Sequence, residues 1–73
     1  MDYFNEFRTS ERTNGKSDWT LYSATDLYNS AKPFYKGIGE LTPTLFGRQM
    51  RKLPDNIVQK KKSKTNNLYF IFI

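Results

Sequence analysis

The chain contains no cysteine and no histidine. Without cysteine there is no disulfide scaffold, no thiolate zinc site and no cysteine nucleophile. Without histidine, His-ligated zinc, the Ser-His-Asp triad and the usual general base near neutral pH are excluded too. Long apolar runs are also missing. None approaches the roughly 20 residues of a membrane span, so no membrane partner is expected. The opening residues Met1-Asp2-Tyr3-Phe4-Asn5-Glu6 lack the basic start and apolar stretch of a secretory signal, and a soluble, cytoplasmic protein is expected. The seven carboxylates are scattered, with no pair at catalytic or metal spacing. Asp2 and Glu6, one helical turn apart, make a weak metal site by themselves. No catalytic residue, metal or cofactor is assigned, and the expectation is a binding protein rather than an enzyme.

What the sequence does have is rings and positive charge. Six Phe, five Tyr and one Trp sit among 73 residues, and large rings let a short chain assemble a core from few positions. A single domain of this length buries only about 60% of the surface its unfolded chain exposes, so its stability margin is thin. The formal charge is +5, and it is unevenly placed. Residues 1–31 hold three basic and five acidic side chains, whereas residues 32–73 hold nine basic and two acidic ones. A polyanion is therefore expected to meet the second half of the chain.

Tyr3, Phe4 and Phe7 have the spacing of one short helix or an ordered arm. A polar stretch from Thr9 to Asp18 follows, with a turn at Asn14-Gly15. Residues 1–18 are read as this arm or helix with its polar loop, and residues 19–73 as the main domain. Trp19-Thr20-Leu21-Tyr22 reads as a short extended piece. Ser23-Ala24-Thr25-Asp26 is a helix start, with Ser23 as cap and Asp26 completing a variant capping box. Ala24, Leu27, Tyr28 and Ala31 form one apolar stripe, and Pro33 is expected to kink or end the helix near Ala31 or Lys32, with Phe34 and Tyr35 continuing the stripe if it survives. Gly37-Ile38-Gly39 reads as a loop. Thr42-Pro43 is a second helix start, with Thr42 as cap and Pro43 at the first helical position. Leu45, Phe46, Gln49, Met50 and Leu53 share one face of this helix, and Thr44, Gly47, Arg48, Arg51 and Lys52 fall largely on the other. Gly47 costs the helix about 1 kcal/mol relative to Ala, and its expected use is close approach of another backbone, from a packed helix or a ligand. Pro54 stops the helix.

Two strands near 57–61 and 68–72 are joined by a polar connection and are expected to pair as a hairpin. In the last strand Leu68, Phe70 and Phe72 alternate with Tyr69, Ile71 and Ile73. Both faces are apolar, so the strand is expected to be largely covered. The expected core is Leu27, Tyr28, Leu45, Phe46, Met50, Leu53, Val58 and Phe70.

The fold class is thus α+β. Two capped helices followed by a hairpin are the plan of a winged helix-turn-helix: two or three helices, a C-terminal β-hairpin wing, and room for a short strand near 20–22. In that plan the second capped helix enters the DNA major groove and the hairpin runs beside the phosphates. Candidate contacts on the helix are Thr44, Arg48, Arg51 and Lys52, and on the wing Lys60, Lys61, Lys62 and Lys64. Arg48 is suited to guanine or phosphate, or else to a surface ion pair with Asp55 or Glu40. Thr44 either reaches a phosphate or base edge or supports the cap. The wing lysines bind phosphates or guard the hairpin against edge-to-edge pairing.

Ser23-Ala24-Thr25-Asp26-Leu27-Tyr28 and Phe46-Gly47-Arg48-Gln49-Met50, with Leu53, resemble the small C-terminal winged-helix domain of phage and plasmid primase-helicases of the poxvirus-primase type. Those domains have a similar Thr-x-Leu-Tyr opening and a Phe-Gly-Arg-x-Leu pattern before a basic hairpin. The resemblance runs from Leu21 through the hairpin. It implies a DNA-binding module and a mobile-element origin, and so the cytoplasm of a host cell. It does not imply primase or helicase activity, because the chain has no Walker motif and no room for an ATPase. Two functions follow as expectations. One is duplex DNA binding that regulates transcription or replication. The other is a phage-encoded inhibitor or adaptor that grips a host protein through its aromatic-rich ends, Tyr3, Phe4 and Phe7 at one and Tyr69 to Ile73 at the other. These ends would form a sticky surface or a homodimer seam, or equally the core of a chain with little else to bury.

Overall fold

The computed structural model describes residues 2–62 and 67–73. Helix α1 spans Asp2–Thr13, strand β1 Trp19–Ser23, helix α2 Ala24–Ala31, helix α3 Pro43–Arg51, strand β2 Val58–Lys62 and strand β3 Asn67–Phe72. The architecture is α+β, three helices with a three-stranded antiparallel sheet ordered β1-β3-β2. The connection 63–66, including Lys64, lies outside the described residues.

Each helix boundary has a local cause. Asp2 in the first turn and Arg12 in the last complement the dipole of α1. Its end is a Schellman closure. Gly15, at φ +95°, donates its N–H to the Arg12 carbonyl at 3.1 Å, and Lys16 donates to Glu11 at 3.1 Å. The left-handed conformation is what makes glycine the natural residue there. Ser23 Oγ accepts the Asp26 N–H at 3.1 Å to start α2. Pro33 converts the chain to a 3-10 turn over Lys32–Phe34, so the regular helix stops at Ala31, short of the stripe's extension to Phe34 and Tyr35. Thr42 Oγ1 accepts the Leu45 N–H at 3.1 Å and Pro43 opens α3. Replacing Ser23 or Thr42 by alanine is expected to lower stability by about 0.5–2 kcal/mol each. Chemical denaturation with glycine variants as controls checks this, since glycine at a cap costs only a few tenths. Equal losses for alanine and glycine would show that these hydroxyls are not caps.

β3 is the central strand. Trp19, Leu21 and Ser23 of β1 pair with Phe72, Phe70 and Leu68, and Val58, Lys60 and Lys62 of β2 pair with Ile71, Tyr69 and Asn67. Strand alternation then sends Tyr22, Val58, Tyr69 and Ile71 to one face, where they join the core with Tyr3, Phe4, Phe7, Leu27, Ala31, Leu41, Phe46 and Met50. Helix α1 therefore contributes three rings to the same core as the rest of the chain. Of the expected core, Leu27, Phe46, Met50 and Val58 are buried, and Tyr28, Leu45 and Leu53 are half-buried against it.

Phe70 and the two-sided burial of the last strand need correction. Phe70 is only half-buried, and its face of the sheet is open, with Trp19 39%, Phe72 40% and Leu21 51% exposed. The apolar side chains of all three helices pack against the Tyr69–Ile71 face, which leaves nothing for the other. Trp19 and Phe72 cover each other edge to face, with centroids 5.4 Å apart.

The ends of the chain are fastened together. Arg8 Nε donates to the Phe72 carbonyl at 2.7 Å, and Arg12 Nη2 donates to that of Ile73 at 3.1 Å. The Tyr3 hydroxyl donates to Gln49 Oε1 of α3, and its ring meets Tyr35 edge to face at 5.2 Å. Burial, with the neighbouring Tyr35, pushes the Tyr3 hydroxyl up to about 12 from the ordinary 10.0. Burial moves Tyr22 the same way, helped by its hydrogen bond to Glu11 at 3.1 Å. A raised tyrosine pKa means the folded state keeps a proton that the unfolded state loses first. The contribution of Tyr3 is complete below pH 10.0 and is lost as pH rises toward about 12. The urea midpoint is expected to fall between pH 9 and pH 11.5, and less steeply in Tyr3→Phe. Identical declines in both proteins would remove Tyr3 from the cause.

Candidate nucleic-acid interface

α3 buries Phe46 and Met50, and the same periodicity turns Thr44, Arg48, Arg51 and Lys52 outward, all exposed. Thr44 lies in the first turn, one residue after Pro43, while Arg48 and Arg51 occupy the last turn, where cations suit the helix dipole. Among the described residues the ion pairs are Lys16–Glu11 at 3.4 Å and Lys36–Glu6 at 2.9 Å. Arg48 pairs with neither Asp55 nor Glu40, so its guanidinium carries no structural ion pair here.

The hairpin lysines divide. Lys60 and Lys62 pair with Tyr69 and Asn67, on the face that packs against the helices, and Lys61 pairs with Leu68 on the open face. Lys60 and Lys62 thus share one face of the hairpin and Lys61 lies on the other. Alternation along a strand carries this information, and it was the signal available for separating Lys61 from its neighbours.

Among the described residues, hollows lie against α3. A cleft of about 490 Å³ lies between α2, α3 and the hairpin, lined by Tyr28, Phe46 and Tyr69 together with Arg51 and Lys60. No carboxylate is among the described residues that line it. A smaller hollow of about 190 Å³ again has Arg51 and Lys60, this time with Asp55. A third, of about 460 Å³, is formed by Pro43, Thr44, Gly47, Arg48 and Arg51. The structure thus brings Thr44, Arg48, Arg51 and Lys60 onto connected surface. Lys52, Lys61 and Lys62 line none of these three hollows.

Thr25, Asn29 and Asn67 also line the large cleft, and none of them is among the contacts expected from the sequence. Their side chains follow no charged or aromatic pattern, and only the folded juxtaposition of α2 with the hairpin gathers them. Tyr28 was legible as part of the α2 stripe. Its hydroxyl donates to the Leu41 carbonyl and its ring meets Phe46 at 5.8 Å, which fixes one wall of the cleft.

Among the described residues no group of acidic side chains could hold a metal ion, and no helix is long and apolar enough to cross a membrane. Compared with known protein families, curated proteins and solved structures, the chain matches none.

Proposed function

We propose that the protein is a small winged-helix DNA-binding protein of phage or mobile-element origin that acts on transcription or replication. α3 enters the major groove, and the β2–β3 hairpin runs beside the phosphates as the wing. The chain order helix, strand, helix, helix, strand, strand and the sheet order β1-β3-β2 are compatible with that plan. The observation that carries the reading is the shared lining of the large cleft. Arg51 from α3 and Lys60 from β2 both line it with no carboxylate among the described lining residues, so helix and hairpin offer cations on one surface to a phosphate backbone. Titration of a labelled duplex at several salt concentrations tests it. Binding that weakens linearly in log salt, by about 0.9 units per phosphate neutralised, is expected. No binding even at low salt would end this reading.

A second reading, an inhibitor or adaptor that grips a host protein, is favoured by the open sheet face of Trp19, Leu21 and Phe72. Tight capture of one purified host protein, lost when Trp19 and Leu21 are replaced but retained when Arg51 and Lys60 are, would favour it over DNA.

A further inference from the structure

Gly47 stands in the middle of α3, where glycine is a poor helix former and loses more conformational freedom than any other residue. The usual reasons for tolerating it are absent. Its backbone is not in the left-handed region, which among the described glycines is occupied by Gly15 and Gly39. A Cβ built on Gly47 meets no heavy atom of the described residues within 4 Å, so none of the described helices or strands needs the space. The gap opens outward, onto both the 490 Å³ cleft and the 460 Å³ hollow, and Arg51 borders the two together with it. Thr44, one turn earlier on the same face, offers a hydroxyl.

We propose that Gly47 is the point where the sugar–phosphate backbone of bound DNA lies directly against α3, between the Thr44 hydroxyl and the Arg51 guanidinium. This rests on the DNA-binding reading above and adds to it a place of closest approach. A glycine has no side chain with which to read a base edge, so what it offers is bare main chain to a bulky ligand. The adjoining donors are of the kind that hold phosphate oxygens. Removing the gap therefore excludes the ligand without removing any charge.

The test is Gly47→Ala and Gly47→Gln in the full chain, with thermal melting and duplex titration at three salt concentrations. Alanine is expected to raise the melting temperature by roughly 4–8 °C, because it improves the helix at no steric cost to the fold. It is expected to weaken DNA binding about 10-fold, and glutamine more, with the salt slope unchanged because no cation is lost. Variants that melt higher but bind DNA like the unaltered protein overturn the proposal and leave the DNA-binding reading standing. A fall in melting temperature with alanine also overturns it, since Gly47 would then serve the fold. If the unaltered protein shows no salt-dependent binding at all, the underlying reading fails and the proposal falls with it.

Discussion

Phe4→Ala is expected to remove about 3–5 kcal/mol of stability, the cost of deleting a fully buried ring and leaving a cavity. Phe4 has 0% of its surface exposed. Its ring lies 5.5 Å from that of Phe7, and Phe7 reaches Tyr22 of β1 at 5.8 Å and Phe34 of the 3-10 turn at 6.2 Å. A hole at this point therefore loosens the contact of α1 with both the sheet and the turn after α2. A chain of this length has about 4–11 kcal/mol of total stability by the usual per-residue scale, so the loss takes a large share of it. Phe72, 40% exposed on the open sheet face, supplies the contrast, and its alanine variant is expected to cost far less. Urea and thermal melts followed by circular dichroism read both. A shift of only a degree or two for Phe4→Ala would show that α1 is an appendage rather than part of the core.

The largest expected effect on binding comes from Arg51→Ala combined with Lys60→Ala. If each cation neutralises one phosphate, the pair flattens the salt slope by about two units and weakens binding to all duplex sequences alike. Lys61→Ala is the internal control. It lies on the opposite sheet face, beside Leu68, and its slope change is expected to be smaller than that of Lys60→Ala. Arg48→Ala is distinguished by specificity, with a loss of about 1–3 kcal/mol on a preferred site and less on random duplex. Equal slopes for the double variant and the unaltered protein would exclude Arg51 and Lys60 as phosphate contacts. Equal losses for Lys60→Ala and Lys61→Ala would instead place DNA along the edge of β2 rather than across its inner face.

Local chemistry made several of these elements readable in advance. Ser23 and Thr42-Pro43 announce helix starts because they satisfy otherwise unpaired backbone donors, and Asn14-Gly15 marks a turn by the same kind of local geometry. The outward placement of Arg48 and Arg51 follows from the spacing of Phe46 and Met50. Other features depended on contacts remote in sequence. Leu41 is 1% exposed although it lies in a loop with no periodicity, and it joins the core cluster with the Tyr28 hydroxyl on its carbonyl. Both sets of alternate residues in β3 are apolar, so the strand itself does not say which face the helices choose. The pairing of β1 beside β3 joins residues about fifty positions apart, beyond the reach of any local pattern. The large cleft has the same origin, since its walls come from α2, α3 and the hairpin.

The fastening of α1 to the far end of the chain has a kinetic consequence. Arg8 and Arg12 reach carbonyls more than sixty residues later, and Tyr3 reaches Gln49. Tyr3, Phe4 and Phe7 complete their burial only once α3 and the central strand have been made, and β3 is the last strand in chain order. During synthesis these rings wait unpaired, and α2 and α3, eight and nine residues long, are too short to persist by themselves. Closing so long a loop costs only slowly more than closing a shorter one, but sequence-distant contacts of this kind slow the search. Folding is therefore expected as one late, cooperative step rather than helix by helix, with the aromatic amino-terminal segment the part most exposed to chaperones and proteases until the last strand docks.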